Sequence, residues 1–392
     1  MNLPYSVHSL IINIAIYLFI FIIPYQALSL KATGFEVGLL MTLHSIGYIV
    51  STWLNSSHFF KADSKKMMKL SYLLLTATYC IGGFSPHLIT LWLLVCASGI
   101  LLGIYWPHFW KIHSENSSGE SGVELCNSFA LMTIGVLVGP ALAGFSYQYL
   151  GTGSFYIAAI LAFFLFVVTP IRESTCQSHQ ELNSDQTGEI SLWRGLFFHY
   201  RKLLLILVWL DITLIGYLEG NFRAAGPLFM LKNGYSSQFW GLFLALKLLI
   251  QILVILGLKR IGPAKIIGRK SHWWFFVMEL TIVLGAIFFI QSKNYLELSM
   301  AMVLFGLAIG FIYYTGIYFS LLGSEEHGGG KNLSGLAESV LGIGILSGSL
   351  IGGSLTGLTV RAPFFFLLAL VALTIPGKYF FLFRKRLKTN QA

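Results

Sequence analysis

Apolar runs of about 20 residues recur along this chain, each long enough to cross the roughly 30 Å hydrocarbon core of a bilayer as a helix. The first, at residues 5–28, holds no Asp, Glu, Lys or Arg at all. Lipid offers backbone N–H and C=O groups no partners, so a spanning chain must be helical or close into a barrel. Barrel strands would alternate apolar and polar residues over about ten positions, and no such alternation runs through this sequence. Only 11% of the 392 residues are charged, against about a quarter in soluble domains. The expectation is an all-α polytopic membrane protein. The run at 5–28 is too long for the apolar core of a signal peptide and has no basic residues before it, so it reads as a span.

Twelve spans are expected near 5–28, 36–58, 68–85, 88–110, 122–147, 152–171, 203–224, 237–258, 272–291, 296–322, 333–357 and 363–383. The longest polar segment, at 172–191, opens a cytoplasmic linker at 172–202 that divides them into a six-helix bundle at 1–171 and a second at 203–392. Lys and Arg gather on one side if both termini are cytoplasmic. Lys61, Lys65, Lys66 and Lys69 follow the second span, Lys259 and Arg260 the eighth, and Lys378, Arg384, Lys385, Arg386 and Lys388 close the chain. The net charge of +10 is then a topology signal and an anchor to anionic headgroups, not a nucleic-acid footprint. Size and short loops suit a bacterial inner membrane and a monomer. Cys80, Cys96, Cys126 and Cys176 are scattered, without metal or disulfide spacing. No phosphate-binding loop or other cofactor motif occurs, and the polar groups are too dispersed for an enzyme's converging acid, base and nucleophile.

The two halves resemble each other. Residues 130–145, ALMTIGVLVGPALAGF, align with 339–354, SVLGIGILSGSLIGGS, so that Gly135, Gly139 and Gly144 fall on Gly344, Gly348 and Gly353, with Gly352 beside the last. SGILLGIYW at 98–106 likewise resembles FGLAIGFIY at 305–313. Internal symmetry of this kind marks many secondary transporters, whose solute site lies between the halves near the midplane.

Twelve spans in two halves joined by a polar loop resemble the major facilitator superfamily. The most specific element is Gly135-Val-Leu-Val-Gly139-Pro140-Ala-Leu-Ala143-Gly144. It is similar to the GxxxGPxxGG motif of the fifth helix in the family's antiporters, with Ala143 replacing one glycine. Small residues four apart let helix backbones approach, and a proline at depth bends its helix. The family's loop signature after the second span is eroded: NSSHFFKADSKKMMK at 55–69 is basic but lacks the glycines. The resemblance implies two pseudo-symmetric six-helix bundles, with spans one, four, seven and ten lining a cavity. The lining residues it implies are Asn13 and Tyr17, then Tyr105, Trp106 and His108, Asp211, and Tyr313, Tyr314 and Tyr318.

The seventh span poses a problem of its own, because Asp211, Glu219 and Arg223 stand in an otherwise oily run. Spaced in multiples of four, they share one stripe of a helix. Glu219 and Arg223, near the outer surface, are expected to pair with each other. Asp211 lies near mid-depth, where a lone charge costs at least about 2.5–3.5 kcal/mol. Lys247, at comparable depth on the next span, is the expected partner. An acid beside a lysine can exchange protonation for pairing, which gives a proton a hold on a conformational equilibrium. His44 and Glu338 are further candidates for proton coupling. Glu279 is expected to pack or to snorkel rather than act in transport.

The expected function is secondary active transport of a small organic solute by alternating access, coupled to protons, with Asp211 as the coupling acid. The resemblance to antiporters leans toward export. Proton-coupled import of a metabolite, carboxylate or siderophore is the alternative, and a scaffold or receptor without flux is a third.

Overall fold

The computed structural model describes residues 5–56, 63–85, 87–115, 121–169, 188–261, 271–326 and 333–389. Residues 57–62 of the loop after the second span, 172–187 of the expected linker and Cys176 lie outside the described residues, as do the side chains of Cys126 and residues 384–388. The described chain is helical and contains no strand. Its helices are α1 (Tyr5–Ser29), α2 (Gly34–Ser56), α3 (Ser64–Gly83), α4 (Leu88–Glu115), α5 (Ser121–Leu150) and α6 (Ser154–Val168). They continue with α7 (Gly188–Lys232), α8 (Ser237–Ile261), α9 (Ser271–Gln291), α10 (Tyr295–Glu326), α11 (Leu333–Leu355) and α12 (Ala362–Thr389). The helical backbone of α7 begins inside the segment expected as a linker. Its 45 residues extend about 68 Å at 1.5 Å per residue, more than twice the hydrocarbon thickness.

Among the described residues, eight stretches are long and apolar enough to cross a membrane, including Val7–Ser29, Leu88–Phe109 and Ser237–Leu258. Helix α7 carries Asp211, Glu219 and Arg223 within its described part. It is nevertheless held inside the protein, with Ile212, Ile215, Leu218, Ala224 and Ala225 all fully buried. A helix of that kind depends on its neighbours for every charge it brings in.

Glycine faces set which helices meet. Helix α5 packs along α1 and α8, and α11 along α7 and α2. A Cβ added at Gly135 or Gly139 would sit 2.8 Å from the Cβ of Asn13 or Tyr17 on α1. At Gly144 it would sit 2.8 Å from the carbonyl oxygen of Ser237 on α8. The matching residues of the repeat do the matching work. Gly344 and Gly348 lie against Gly216 and Tyr217 of α7, Gly352 against Asn221, and Gly353 against Gly34 and Gly38 of α2. The alignment of 130–145 with 339–354 is therefore an alignment of packing: the first glycines meet α1 or α7, and the last meets α8 or α2. Pro140 belongs to the same seam, its carbonyl oxygen against Gly241 of α8.

Small residues at such crossings let backbones approach closely, and a methyl group in the seam has nowhere to go. On Gly38 the added carbon would lie 2.9 Å from the Cα of Gly353, whereas Gly257 has nothing within 4 Å. Gly38→Ala is expected to lower the thermal midpoint of the purified protein clearly. Gly257→Ala should leave it unchanged or slightly higher, since Ala in a helix is favoured over Gly by about 1 kcal/mol. Differential scanning fluorimetry of the two variants checks the contrast.

Candidate functional site

A cavity of about 140 Å³ lies where α1 and α5 face α7, α8, α10 and α11. Tyr17, Phe21 and Pro24 of α1 and Val136 and Pro140 of α5 form one wall. Glu219, Phe222, Arg223, Trp240, Lys247, Gln251 and Tyr313 bring the aromatic and polar groups of the other. The lining is mostly apolar, with a few polar groups converging, which is the usual build of a small-molecule site.

The charges at this wall come from α7 and α8. Lys247 Nζ donates to Glu219 Oε1 at 2.5 Å. The ammonium also stands 5.1 Å from the centre of the Phe222 ring, and the Arg223 guanidinium 5.8 Å from that of Tyr17. Both are distances at which a cation feels the ring's negative face. The expected Glu219–Arg223 pair is overturned. No ion pair joins them, although their i,i+4 spacing favours one on an isolated helix. Tertiary contact decides instead: Lys247 reaches Glu219 from α8, and Arg223 turns to α1. Neither residue lies at an outer surface; both line the cavity.

The expected Asp211–Lys247 pair is overturned as well. Asp211 is 2% exposed and accepts from Nζ of Lys378 on α12. The same ammonium donates to Glu279 Oε1 of α9 at 2.5 Å, and Glu279 is 1% exposed. Lys378 is thus a buried ion-pair partner rather than a headgroup anchor, and Glu279 packs in the interior, the first of the two expectations for it, rather than snorkelling. Three helices deliver two carboxylates and one ammonium to a buried point outside the cavity lining. Two carboxylates against one ammonium leave a formal charge of minus one. Two signals for this cluster stood in the sequence: Glu279 in mid-span, and Lys378 five residues short of the expected end of its own.

The remaining candidates separate. Tyr17 and Tyr313 line the cavity, and the Tyr313 hydroxyl donates to Glu338 Oε1 at 2.7 Å, so Glu338 stands one layer behind it. His44 is 6% exposed on α2 against α4, and its Nε2 has no hydrogen-bond partner. Asn13 is buried and donates to the Ser9 carbonyl at 2.7 Å. Tyr105, Trp106 and His108 face α3 and their own helix rather than the cavity. The Tyr105 hydroxyl accepts from that of Tyr72 at 3.4 Å, Trp106 packs edge-on against Tyr105, and His108 Nδ1 lies 3.1 Å from Ser64 Oγ. Tyr314 and Tyr318 pack against the core of α10 and its neighbours. Phe222, Trp240 and Gln251 line the cavity without having been singled out in the sequence, where nothing separates them from ordinary packing residues.

Residues 7–331 match the family described as the Major Facilitator Superfamily. No curated relative matches the sequence. The fold is similar to crystal structures of the nucleoside transporter NupG. A mutant form superposes with a TM-score of 0.70 at 13% identity, covering 96% of this chain and 99% of that one. A second structure gives 0.69 at 14%, covering 97% and 98%. At this identity the likeness is one of fold.

Removing one partner of a buried ion pair costs about 3–5 kcal/mol, because the other charge is left behind. Lys378→Met should accordingly destabilise the protein by about that much. Adding Asp211→Asn and Glu279→Gln to the same chain should restore most of the loss. Chemical denaturation of the single and triple variants measures both; equal stability of the two would contradict a charge cluster at this point.

Proposed function

The chain belongs to the Major Facilitator Superfamily, and from that premise we propose a proton-coupled carrier that moves a small organic solute by alternating access. In this reading residues 1–171, with α1–α6, and residues 203–392, with α7 from Leu203 onward and α8–α12, are two rocking bundles joined by the linker at 172–202, which includes the first part of α7; both termini are cytoplasmic, and the carrier works as a monomer in a bacterial inner membrane. The observation that carries it is the ion-paired cavity at the joint, walled by α1 and α5 on one side and by α7, α8, α10 and α11 on the other. The glycine seams support it, since helices that meet through backbone can shift without repacking long side chains.

Coupling is assigned to Glu219 rather than to Asp211. Glu219 lines the cavity with 23% of its side chain exposed, and Lys247 closes on it. A proton on Glu219 removes the charge that holds Lys247 and frees the ammonium toward the solute. Loss of the proton closes the pair again. Proton and solute thereby bias the same equilibrium through differential contacts, the only route by which a ligand shifts one. Asp211 lies eight residues earlier on α7, about 12 Å along the helix, and outside the lining. With Glu279 and Lys378 it steadies α7 against α9 and α12, and a proton held there reaches the solute only through α7. Glu338 tunes Tyr313 from behind, and His44 has no part in the lining.

Export is the direction favoured by the antiporter-like glycine-proline segment of α5. Uptake is the second reading. It is favoured by the Lys247–Glu219 pair, which on protonation would offer a cation to an incoming anionic solute. A receptor or scaffold without flux has no use for a switchable pair in a cavity wall.

Paired mass spectrometry of medium and cell extract tests the reading in cells with no protein, wild type, Glu219→Gln or Asp211→Asn. One compound is expected to change its medium-to-cell ratio with wild type. Glu219→Gln should reduce that gradient at least tenfold, while Asp211→Asn, corrected for its abundance in the membrane, should keep more than half. The sign of the change gives the direction. Loss of the gradient in Asp211→Asn with retention in Glu219→Gln would move coupling to the buried cluster, and no change in any compound would refute transport.

A further inference from the structure

The charges in the cavity wall do not cancel. Lys247 and Glu219 close on each other at 2.5 Å, which leaves Arg223 as the one lining cation with no carboxylate partner among the described residues. Glu338 is not a lining residue, and its carboxylate holds the Tyr313 hydroxyl at 2.7 Å. Asp211 and Glu279 are both taken by Lys378. A guanidinium in a mostly apolar wall has a strong demand for a counter-ion. Its planar fork of N–H donors fits the two oxygens of a carboxylate better than a lysine would. The Tyr17 ring beneath it fixes its approach without neutralising it.

A second lining group carries an atom without a hydrogen bond. Gln251 lines the cavity, is 7% exposed, and its Oε1 accepts no hydrogen bond. A buried carbonyl oxygen left bare costs about 1–3 kcal/mol, and a donor on the solute would remove that cost. Around these two groups the lining is Phe21, Ile20, Phe222, Trp240, Leu244 and Ile309. A space of about 140 Å³ is of the size that holds a single six-membered ring.

We propose that the solute is an organic monoanion, a carboxylic acid with a compact apolar or aromatic body, whose carboxylate binds Arg223. This rests on the carrier reading above and deepens it. A nucleoside, the solute named for NupG, is neutral and gives Arg223 no counter-charge. The protonated state of Glu219 adds Lys247 as a second cation on the same wall, so that proton and anion load together, as the uptake reading of the carrier requires.

Three probes of one shape and different charge test the assignment on the purified full chain in lipid nanodiscs: phenylacetate, phenylacetamide and phenethylamine. Equilibrium dialysis of the radiolabelled compounds should show phenylacetate binding at least tenfold tighter than the amide or the amine. Arg223→Gln should weaken phenylacetate at least tenfold while leaving amide binding unchanged, and Arg223→Lys should recover part of the loss, which separates lost charge from a misfolded protein. Equal binding of acid and amide, preference for the amine, an unchanged Arg223→Gln, or binding of none of the three overturns the proposal. Counterflow in proteoliposomes separates this from the carrier reading. Charge-selective binding without counterflow keeps the anion site and removes the carrier; counterflow of a neutral compound alone keeps the carrier and removes the anion site.

Discussion

Helix α7 brings three charged side chains into an apolar bundle, and the rest of the arrangement follows from what each one requires. A charge in a low-dielectric interior must find a counter-charge, a ring face or water, because its desolvation is otherwise uncompensated. Asp211 finds Lys378 on α12, and through it Glu279 on α9. Glu219 finds Lys247 on α8, and Arg223 finds the Tyr17 ring on α1. Five helices are tied into one network by residues that a purely greasy span would not contain. Asp211 and Glu219 also differ by position. Asp211, fully buried, joins three helices, while Glu219, partly exposed, faces the cavity.

The glycine seams supply the complementary property. Charges fix partners, whereas Gly34, Gly38, Gly144 and Gly353 remove side chains from the crossings between the first six helices and the last six. Contact made mostly through backbone is close when formed and holds no interlocked side chains when it opens. Fixed charge on one side of α7 and close backbone contact with Gly344 and Gly348 of α11 on another hold α7 within its own half, while the seams at Gly38–Gly353 and Gly144–Ser237 lie between the halves. Alternating access asks for both.

Much of this architecture was legible in the sequence. The recurrent apolar runs dictate helices in a bilayer, and the repeated glycine spacing located the seams, because close backbone approach leaves a mark in residue type. The partners of the buried charges left a weaker mark. The i,i+4 spacing of Glu219 and Arg223 describes one helix and says nothing of Lys247 arriving from the next. Lys378 stood beside the basic tail at 384–388, so the positive-inside pattern absorbed it and hid its link to Glu279. The aromatic residues of α4 could not be assigned a face from a span that is apolar all round. Tyr105 and Trp106 turned out to pack with Tyr72 and Phe109 instead of lining the cavity.

The central claim is that Glu219, and not the Asp211 cluster, gains and loses the transported proton. Infrared difference spectroscopy of the reconstituted protein across a pH titration tests it most directly, because a protonated carboxyl has a carbonyl stretch that a carboxylate lacks. The account predicts a titrating carboxyl band that is present in wild type, retained in Asp211→Asn and absent in Glu219→Gln. A band that persists in Glu219→Gln and disappears in Asp211→Asn would contradict it and place the proton with Lys378 and Glu279.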